Sequence, residues 1–367
     1  WAKTATILTG SGYLAFRLTG ERTIDVYTAT AYAPLLDLRT AAWSREMARP
    51  ITPLERLPRL AWSGEIVGRV TARAAAETGL SEGTPVIAGT ADAAAEALSA
   101  GMARPGDLMV MYGSSIFFIQ ETARLISSER FWPALFLEPG SSAVAGGMST
   151  AGALTRWFRD QLAPQELAAE QAGGPAAYEA LAALAARSPP GARGGVMLPS
   201  FAGERTPLND PLARGGGAGL TLSHTRADLY RALLESVAYG IRHNIEGMCA
   251  EGVPPARILA VGGGTRNALW LQAVSDVAGI EQFVPERQQG ASLGDAFLAG
   301  LGVDLLRSRA DLAQWVRYGH VARPNPEVHE LYEPYYRAFR QLYEGSVPAI
   351  HALAQLGLTA GPGGLPS

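Results

Sequence analysis

A carboxylate, Asp92, stands where a predicted strand ends and an alanine-rich helix begins. The run Thr84-Pro-Val-Ile-Ala-Gly predicts a short buried strand of a sheet, and Asp92 follows it after Gly89-Thr-Ala. In open α/β sheets the carboxyl ends of strands face the ligand, so Asp92 could accept the proton of a substrate hydroxyl during phosphoryl transfer. The alternative is that Asp92 only caps the helix that follows, and the local sequence by itself favours this structural role.

A hairpin tip could bind phosphate. Gly113, Ser114 and Ser115 lie between two predicted strands, 107–112 and 116–119. Such a tip exposes backbone N–H groups that can hold phosphate oxygens, although an ordinary tight turn would have the same residues.

A second glycine-rich turn, Gly262-Gly-Gly-Thr-Arg-Asn267, follows a predicted strand and precedes a predicted helix. Glycines allow a ligand to approach the backbone, and the helix N-terminus favours anions or polar groups. The third glycine of a dinucleotide-binding fingerprint is missing, and no acidic residue closes a following strand at the usual spacing. These two differences argue against a nicotinamide-dependent enzyme.

Other polar residues give weaker signals. Gly203-Glu-Arg-Thr-Pro207 places two opposite charges in one loop, which predicts an internal ion pair or a ligand contact, and we favour the ion pair. The five histidines are scattered, with no two at metal-ligand spacing. Cys249, the single cysteine, is expected to be a small buried hydrophobe.

Composition narrows the function classes. The 367 residues are 47% hydrophobic and carry a formal net charge of −3, so a sizeable core is expected and a general nucleic-acid binder is not. No stretch approaches the roughly 20 apolar residues that span a bilayer. A single cysteine allows no internal disulfide and fits a reducing compartment.

The predicted elements alternate between strands and helices, which indicates an α/β fold. Helical spacing of apolar residues predicts helices over 5–18, 72–79, 150–162, 225–251, 268–277, 291–305 and 332–353. Residues 163–194 predict a loosely constrained surface excursion with one short helix. A boundary near 97–103 would separate a small first part from a larger second domain.

Taken in order along the chain, the motifs resemble the FGGY family of carbohydrate kinases, and most closely its xylulokinase-like members. The resemblance covers residues 1 to about 345. It is carried by Gly12-Tyr-Leu-Ala-Phe-Arg-Leu-Thr-Gly, Val86-Ile-Ala-Gly-Thr-Ala-Asp, Met111-Tyr-Gly-Ser-Ser, Ala151-Gly-Ala-Leu-Thr-Arg-Trp-Phe-Arg, Leu198-Pro-Ser-Phe-Ala-Gly-Glu-Arg-Thr-Pro, Gly262-Gly-Gly-Thr-Arg-Asn and Gly290-Ala-Ser-Leu-Gly-Asp-Ala.

The resemblance implies an α/β protein built from actin-like ATPase (ribonuclease H-like) domains with a cleft between them. Residues 1–98 would be the rear part of the sugar-binding N-terminal domain, 99–355 the complete nucleotide-binding C-terminal domain, and 356–367 a disordered tail. The implied reaction is ATP-dependent phosphorylation of a sugar hydroxyl, D-xylulose to D-xylulose 5-phosphate. Alternatives are another ketose or polyol, a non-catalytic nucleotide-binding protein, or a different actin-like ATPase.

The resemblance also implies the roles of individual residues. Asp92 would be the general base and would touch Mg²⁺ through water. Residues 113–115 would be the second phosphate loop, Gly152 and Arg156 would touch the nucleotide, and Gly263, Gly264 and Asn267 would belong to the adenosine site. ATP and Mg²⁺ would be the cofactors and a small sugar the partner, in the cytoplasm, with no nucleic acid and no membrane. A homodimer is left open.

Three departures from the family pattern modify these expectations. Ala93 replaces the Asn that follows the base in many xylulokinases, and Ser114 replaces the usual Thr of the second phosphate loop. No Asp-x-Gly-Thr hairpin, the family's first phosphate loop, precedes Asp92. We therefore expect the chain to be an N-terminally truncated form with little kinase activity by itself.

Overall fold

The structure is a computed structural model that describes Trp1 and residues 3–359. Its strands are β1 (Thr23–Asp25), β2 (Leu36–Asp37), β3 (Ala42–Trp43), β4 (Arg59–Ala61), β5 (Ile66–Arg69), β6 (Pro85–Ile87), β7 (Asp107–Tyr112), β8 (Ile116–Thr122), β9 (Trp132–Leu135), β10 (Ser142–Met148), β11 (Val196–Leu198), β12 (Gly216–Ala218), β13 (Arg257–Val261), β14 (Gln282–Pro285) and β15 (Tyr318–Ala322).

The α-helices are α1 (Gly10–Thr19), α2 (Val26–Ala29), α3 (Arg45–Ala48), α4 (Ala72–Thr78), α5 (Asp92–Ser99), α6 (Gly152–Leu162), α7 (Pro164–Gln171), α8 (Ala177–Ala185), α9 (Arg226–Ala250), α10 (Ala268–Ala278), α11 (Ala291–Gly302), α12 (Leu312–Trp315) and α13 (Pro326–Thr359). The longest α-helices, α9 and α13, lie in the second half of the chain.

A mixed sheet of seven strands, in the order β15-β14-β13-β7-β8-β10-β9, forms the centre of the larger part. Strands β7, β13 and β14 run parallel, and the other pairs are antiparallel. Val261 is paired with Met111, so β7 and β13 end side by side. The predicted α/β class and the predicted β7–β8 hairpin are confirmed.

Helices cover both faces of this sheet because successive side chains of each strand point to opposite sides. Val110 packs in a core with Leu233 of α9 and Val274 of α10. Met109, one residue earlier, packs in a second core with Leu98 of α5 and with apolar residues of α11. Helix α5, which begins with Asp92, therefore lies on one face of the sheet, and α9 and α10 lie on the other.

The best-predicted helix is α9. It starts at the expected capping box, in which the Thr225 N–H donates to the Asp228 carboxylate at 2.8 Å, and it ends just before Gly252. Cys249, however, lies exposed near its end rather than buried, because its position faces away from the apolar side of the helix.

Residues 163–194 differ from the prediction of a loose excursion with one short helix. They form two helices, α7 and α8, and α8 packs against α9. Leu181 and Ala185, four residues apart on one face of α8, are fully buried in the core under the sheet. Burial of this apolar stripe fixes the segment in place.

Two further expectations need correction. Strand β6, before Asp92, does not belong to the large sheet. It pairs antiparallel with β5 in a separate sheet of two strands and is only partly buried.

The last helix, α13, continues without a break to Thr359, so residues 356–359 of the expected disordered tail are helical. The other eight residues of that tail, and the predicted domain boundary, stay predictions; the tail residues lie outside the described part.

Within the described part of the chain, no helix is both long and apolar enough to cross a bilayer.

The imidazole of His243, on α9, predicts an acid-sensitive contribution to stability. Burial, with smaller effects of Arg340 and Arg130, lowers the pKa of His243 from 6.5 to about 3. Between these values the unfolded chain binds more protons than the folded chain, so stability is complete above pH 6.5 and is lost as the pH falls.

We expect His243→Gln to reduce the slope of unfolding free energy against pH by up to about 1.4 kcal/mol per pH unit. Urea unfolding at several pH values between 4 and 7 measures this slope. An identical slope in the variant and the unmodified chain would contradict the prediction.

Candidate active site

The two glycine-containing turns lie together at the ends of β7 and β13. Gly262 has φ +92°, and a Cβ on it would lie 2.7 Å from the carbonyl oxygen of Tyr112. A Cβ on Gly264 would lie 2.9 Å from the Cβ of the same tyrosine. A larger residue at either position would therefore push the 262–267 turn away from β7. The turn would then also lie further from the hairpin tip, which begins at Gly113.

The hairpin tip is hydrogen-bonded to the start of α6. The N–H of Gly152 donates to the Gly113 carbonyl at 3.0 Å, and those of Ala151 and Ala153 donate to the Ser114 carbonyl at 3.0 and 2.9 Å. A Cβ on Gly152 would lie 2.5 Å from the Gly113 oxygen, so only glycine allows this approach. The structure thus brings together two predicted groups that are 37 residues apart in sequence, 152 − 115.

The remaining residues of the predicted nucleotide site border the same region. Arg156 is one turn after Gly152 on α6, and its side chain is exposed. Gly263 is exposed, and a Cβ on it would meet nothing within 4 Å. The Asn267 side chain accepts a hydrogen bond from the Trp270 N–H at 3.1 Å and thereby caps α10. An oxygen of Asn267 is therefore already used in the helix cap.

Gln288 holds the 262–267 turn, and no sequence motif indicated it. Its Oε1 accepts a hydrogen bond from the Gly262 N–H at 2.8 Å, and its Nε2 donates to the Thr265 hydroxyl at 3.0 Å. Because 26 residues separate Gln288 from Gly262, only the tertiary fold reveals this contact.

Asp92 is the first residue of α5 rather than its cap. Ala91 occupies the N-cap position without a side-chain hydrogen bond, so the capping alternative is wrong in its usual form. The Asp92 carboxylate is exposed, and its Oδ1 accepts a hydrogen bond from the Ala93 N–H at 2.8 Å. The Asp92 carboxylate is therefore accessible from solvent.

A buried carboxylate, Asp25 at the end of β1, holds the loop that leads to Asp92. Its Oδ2 accepts hydrogen bonds from the Thr90 hydroxyl at 2.9 Å and from the Thr28 N–H at 3.0 Å. Burial raises the pKa of Asp25. Burial, followed by the charges of Asp25 and Asp92, also raises the pKa of Tyr27.

Asp92 and the residues predicted to bind the nucleotide belong to different elements. Among the described residues, hydrogen bonds connect Gly113 and Ser114 with the start of α6, but none connects Asp92 with either segment. Within the same residues, no group of three or more His, Cys, Asp or Glu side chains could hold a metal ion.

The ion pair expected between Glu204 and Arg205 is not formed. The Glu204 carboxylate instead accepts hydrogen bonds from the backbone N–H groups of Ser149 and Arg205, at 2.9 and 3.0 Å. The Arg205 guanidinium points to backbone carbonyls of the neighbouring strands. The adjacent side chains of Glu204 and Arg205 thus point in different directions, and each forms hydrogen bonds with backbone groups.

Sequence and structure comparisons agree on one family. The model of the FGGY carbohydrate kinases' C-terminal domain matches residues 108–303, and that of their N-terminal domain matches residues 1–99. The chain is 28% identical over 348 residues to a xylulose kinase of Staphylococcus epidermidis, covering 94% of this chain and 68% of the relative. It is 29% identical to an autoinducer-2 kinase of Salmonella paratyphi A, covering 98% of this chain and 67% of that one.

A solved structure is also similar. The crystal structure of a xylulose kinase from Rhodospirillum rubrum superposes with a TM-score of 0.87 at 36% sequence identity, covering 95% of this chain and 69% of the other.

Proposed function

The chain belongs to the FGGY family of carbohydrate kinases, and from this premise we propose that it transfers the γ-phosphoryl group of ATP to a hydroxyl of D-xylulose, with Asp92 as the general base. The family makes the protein a sugar kinase with the actin-like ATPase fold that the motifs predicted. The identity of the sugar, the roles of single residues and the part played by Mg²⁺ belong to the proposal.

The proposed nucleotide site is the junction of the hairpin tip, α6 and the 262–267 turn. Gly113, Ser114 and Ser115 would bind phosphate oxygens through backbone N–H and hydroxyl groups. The open space beside Gly263 is what a nucleotide needs to approach the backbone, and it supports placing the adenosine there. Gly264 and Asn267 would complete the adenosine pocket, while Gly152 and Arg156 would lie beside the phosphates.

The proposed base is Asp92, supported by its exposure and by its place at the start of α5. Its free carboxylate oxygen would accept the proton of the sugar hydroxyl as that oxygen bonds to phosphorus. Mg²⁺, when bound, supplies charge neutralisation for the phosphates. Asp92 is the residue that would contact the ion through water. The observation that carries the proposal is that the hairpin tip, the start of α6 and the 262–267 turn lie together at the ends of β7 and β13.

D-xylulose is favoured because xylulose kinases are among the similar proteins of both kinds. The similarity to an autoinducer-2 kinase, over nearly the whole chain, makes autoinducer-2 the second candidate substrate. The proposed base would be Asp92 in either reaction. A single cysteine and a need for ATP favour a reducing compartment, the cytoplasm, for the reaction.

A substrate panel tests the proposal. ADP release is measured with D-xylulose, other ketoses, polyols and autoinducer-2, using the 367-residue chain and any longer product of the same gene. We expect kcat/KM for D-xylulose to exceed that for each other substrate by about tenfold or more, a difference of about 1.4 kcal/mol in transition-state binding. A higher value for another substrate would reject D-xylulose, and failure to bind ATP or ADP would reject the kinase assignment.

A further inference from the structure

The loop before α9 that contains Glu204 and Arg205 contacts the backbone on which the proposed phosphate site is built. One guanidinium nitrogen of Arg205, Nη2, donates to the carbonyl oxygens of Ile116, at 2.8 Å, and Met148, at 2.7 Å. Ile116 follows Ser115 directly, and Met148 is its partner on the neighbouring strand. A single side chain thus ties the exit of the hairpin tip to the end of β10.

Glu204 fixes the next segment of the same path. Its carboxylate is buried and accepts the Ser149 N–H at 2.9 Å, while the Ser200 hydroxyl donates to its other oxygen at 3.2 Å. The Thr150 hydroxyl donates to the Pro199 carbonyl. Residues 149 and 150 lead into α6, whose first N–H groups bind the hairpin tip. Both strands that approach the proposed phosphate site are therefore held by this one loop.

Two glycines in β10 make room for the loop. A Cβ on Gly147 would lie 2.5 Å from the Ile116 carbonyl oxygen and 2.8 Å from the Arg205 Nη2, and a Cβ on Gly146 would lie 2.5 Å from the Thr206 hydroxyl oxygen. That hydroxyl also receives a hydrogen bond from the Gly147 N–H at 2.8 Å. The close approach of the loop thus depends on the Gly146-Gly147 pair, which the sequence shows without explaining.

We propose that Arg205 is a positioning residue, supported by Glu204, that sets the spacing of the phosphate-binding segments and so determines affinity for the phosphates of the nucleotide. The inference rests on the proposed function. Nη2 donates hydrogen bonds to two backbone carbonyls, so it does not itself bind a phosphate. It influences phosphate binding by fixing the positions of residues 113–116 and 148–152. Losing it removes one donor from each of two strand-end carbonyls and loosens the spacing between the tip and the start of α6. The adenosine pocket, built on β13 and α10, does not depend on it.

Calorimetric binding of ADP and of adenosine to Arg205→Met, Arg205→Lys and the unmodified chain tests the inference. Because hydrogen bonds from a charged group are lost, we expect Arg205→Met to weaken ADP binding at least about tenfold and adenosine binding less than about twofold. Arg205→Lys, which keeps the charge but loses the planar geometry, should lie between the two. Arg187→Met, the same change at an exposed position, is the control and should bind both ligands as the unmodified chain does.

Each outcome decides the inference. Equal weakening of ADP and adenosine by Arg205→Met, or no weakening of either, would overturn it. If Arg205→Met does not fold, Arg205→Lys must by itself show the selective loss of ADP binding, and a failure to do so counts against the inference. An unmodified chain that shows no preference for ADP over adenosine would instead refute the proposed nucleotide site, and the inference would fall with it.

Discussion

Asp92→Asn is expected to lower the rate of sugar phosphorylation by about 100- to 10,000-fold, the usual contribution of a general base. Asparagine has the shape of aspartate but accepts protons poorly at neutral pH. Nucleotide binding should change little, because among the described residues no hydrogen bond joins Asp92 to the hairpin tip or to α6. The measurement is single-turnover transfer from ATP, together with ADP binding by calorimetry, in a protein that contains this chain and phosphorylates sugar.

Glu96→Gln is the matched control for this prediction. Glu96 is one turn further along α5, and burial, assisted by the charge of Asp92, raises its pKa. The substitution removes a carboxylate from the same helix without touching the proposed base, so activity should remain within about twofold of the unmodified protein. An Asp92→Asn variant as active as the unmodified protein would remove Asp92 from the role of base.

Gly294→Ala is expected to destabilise the fold by about 3 kcal/mol, because overpacked contacts cost about 1–3 kcal/mol and a backbone contact cannot relax by a side-chain rotation. A Cβ at this position would lie 1.9 Å from the Ala95 carbonyl oxygen, where α11 crosses α5. The Gly294 N–H also donates to the buried Ser99 hydroxyl at 2.8 Å, and separation of the helices would break this bond. Urea unfolding followed by circular dichroism and by tryptophan fluorescence measures the loss.

Gly345→Ala provides the comparison, since it makes the same change inside α13, where a Cβ would meet nothing within 4 Å. There the higher helix propensity of alanine should leave stability unchanged or raise it by up to about 1 kcal/mol. Because α5 begins with Asp92, Gly294→Ala should also lower sugar phosphorylation more than it lowers ADP binding. A loss of stability below about 1 kcal/mol would mean that the two helices separate at little cost.

Local patterns in the sequence predicted much of the fold. Apolar spacing and a capping box located α9 to within a residue or two of its ends, and the glycine between two apolar runs located the β7–β8 hairpin. These predictions succeed because helix period, strand alternation and turn chemistry depend on neighbours within a few residues. The same reasoning predicted one short helix in residues 163–194 where there are two, and it missed that α8 is packed against α9, since a short apolar stripe has meaning only against its partner.

The order of the motifs also sufficed to assign the chain to its family, but not to show how the residues of the site are held. Thr90 meets Asp25 across 65 residues, Gly262 meets Gln288 across 26, and Arg205 meets Ile116 across 89. Whether Glu204 and Arg205 would pair with each other or with the backbone could not be decided from their adjacency. The sequence by itself determined which groups are present and which local elements carry them; only the tertiary structure decided which backbone groups lie within hydrogen-bond distance, because that depends on how distant strands are paired.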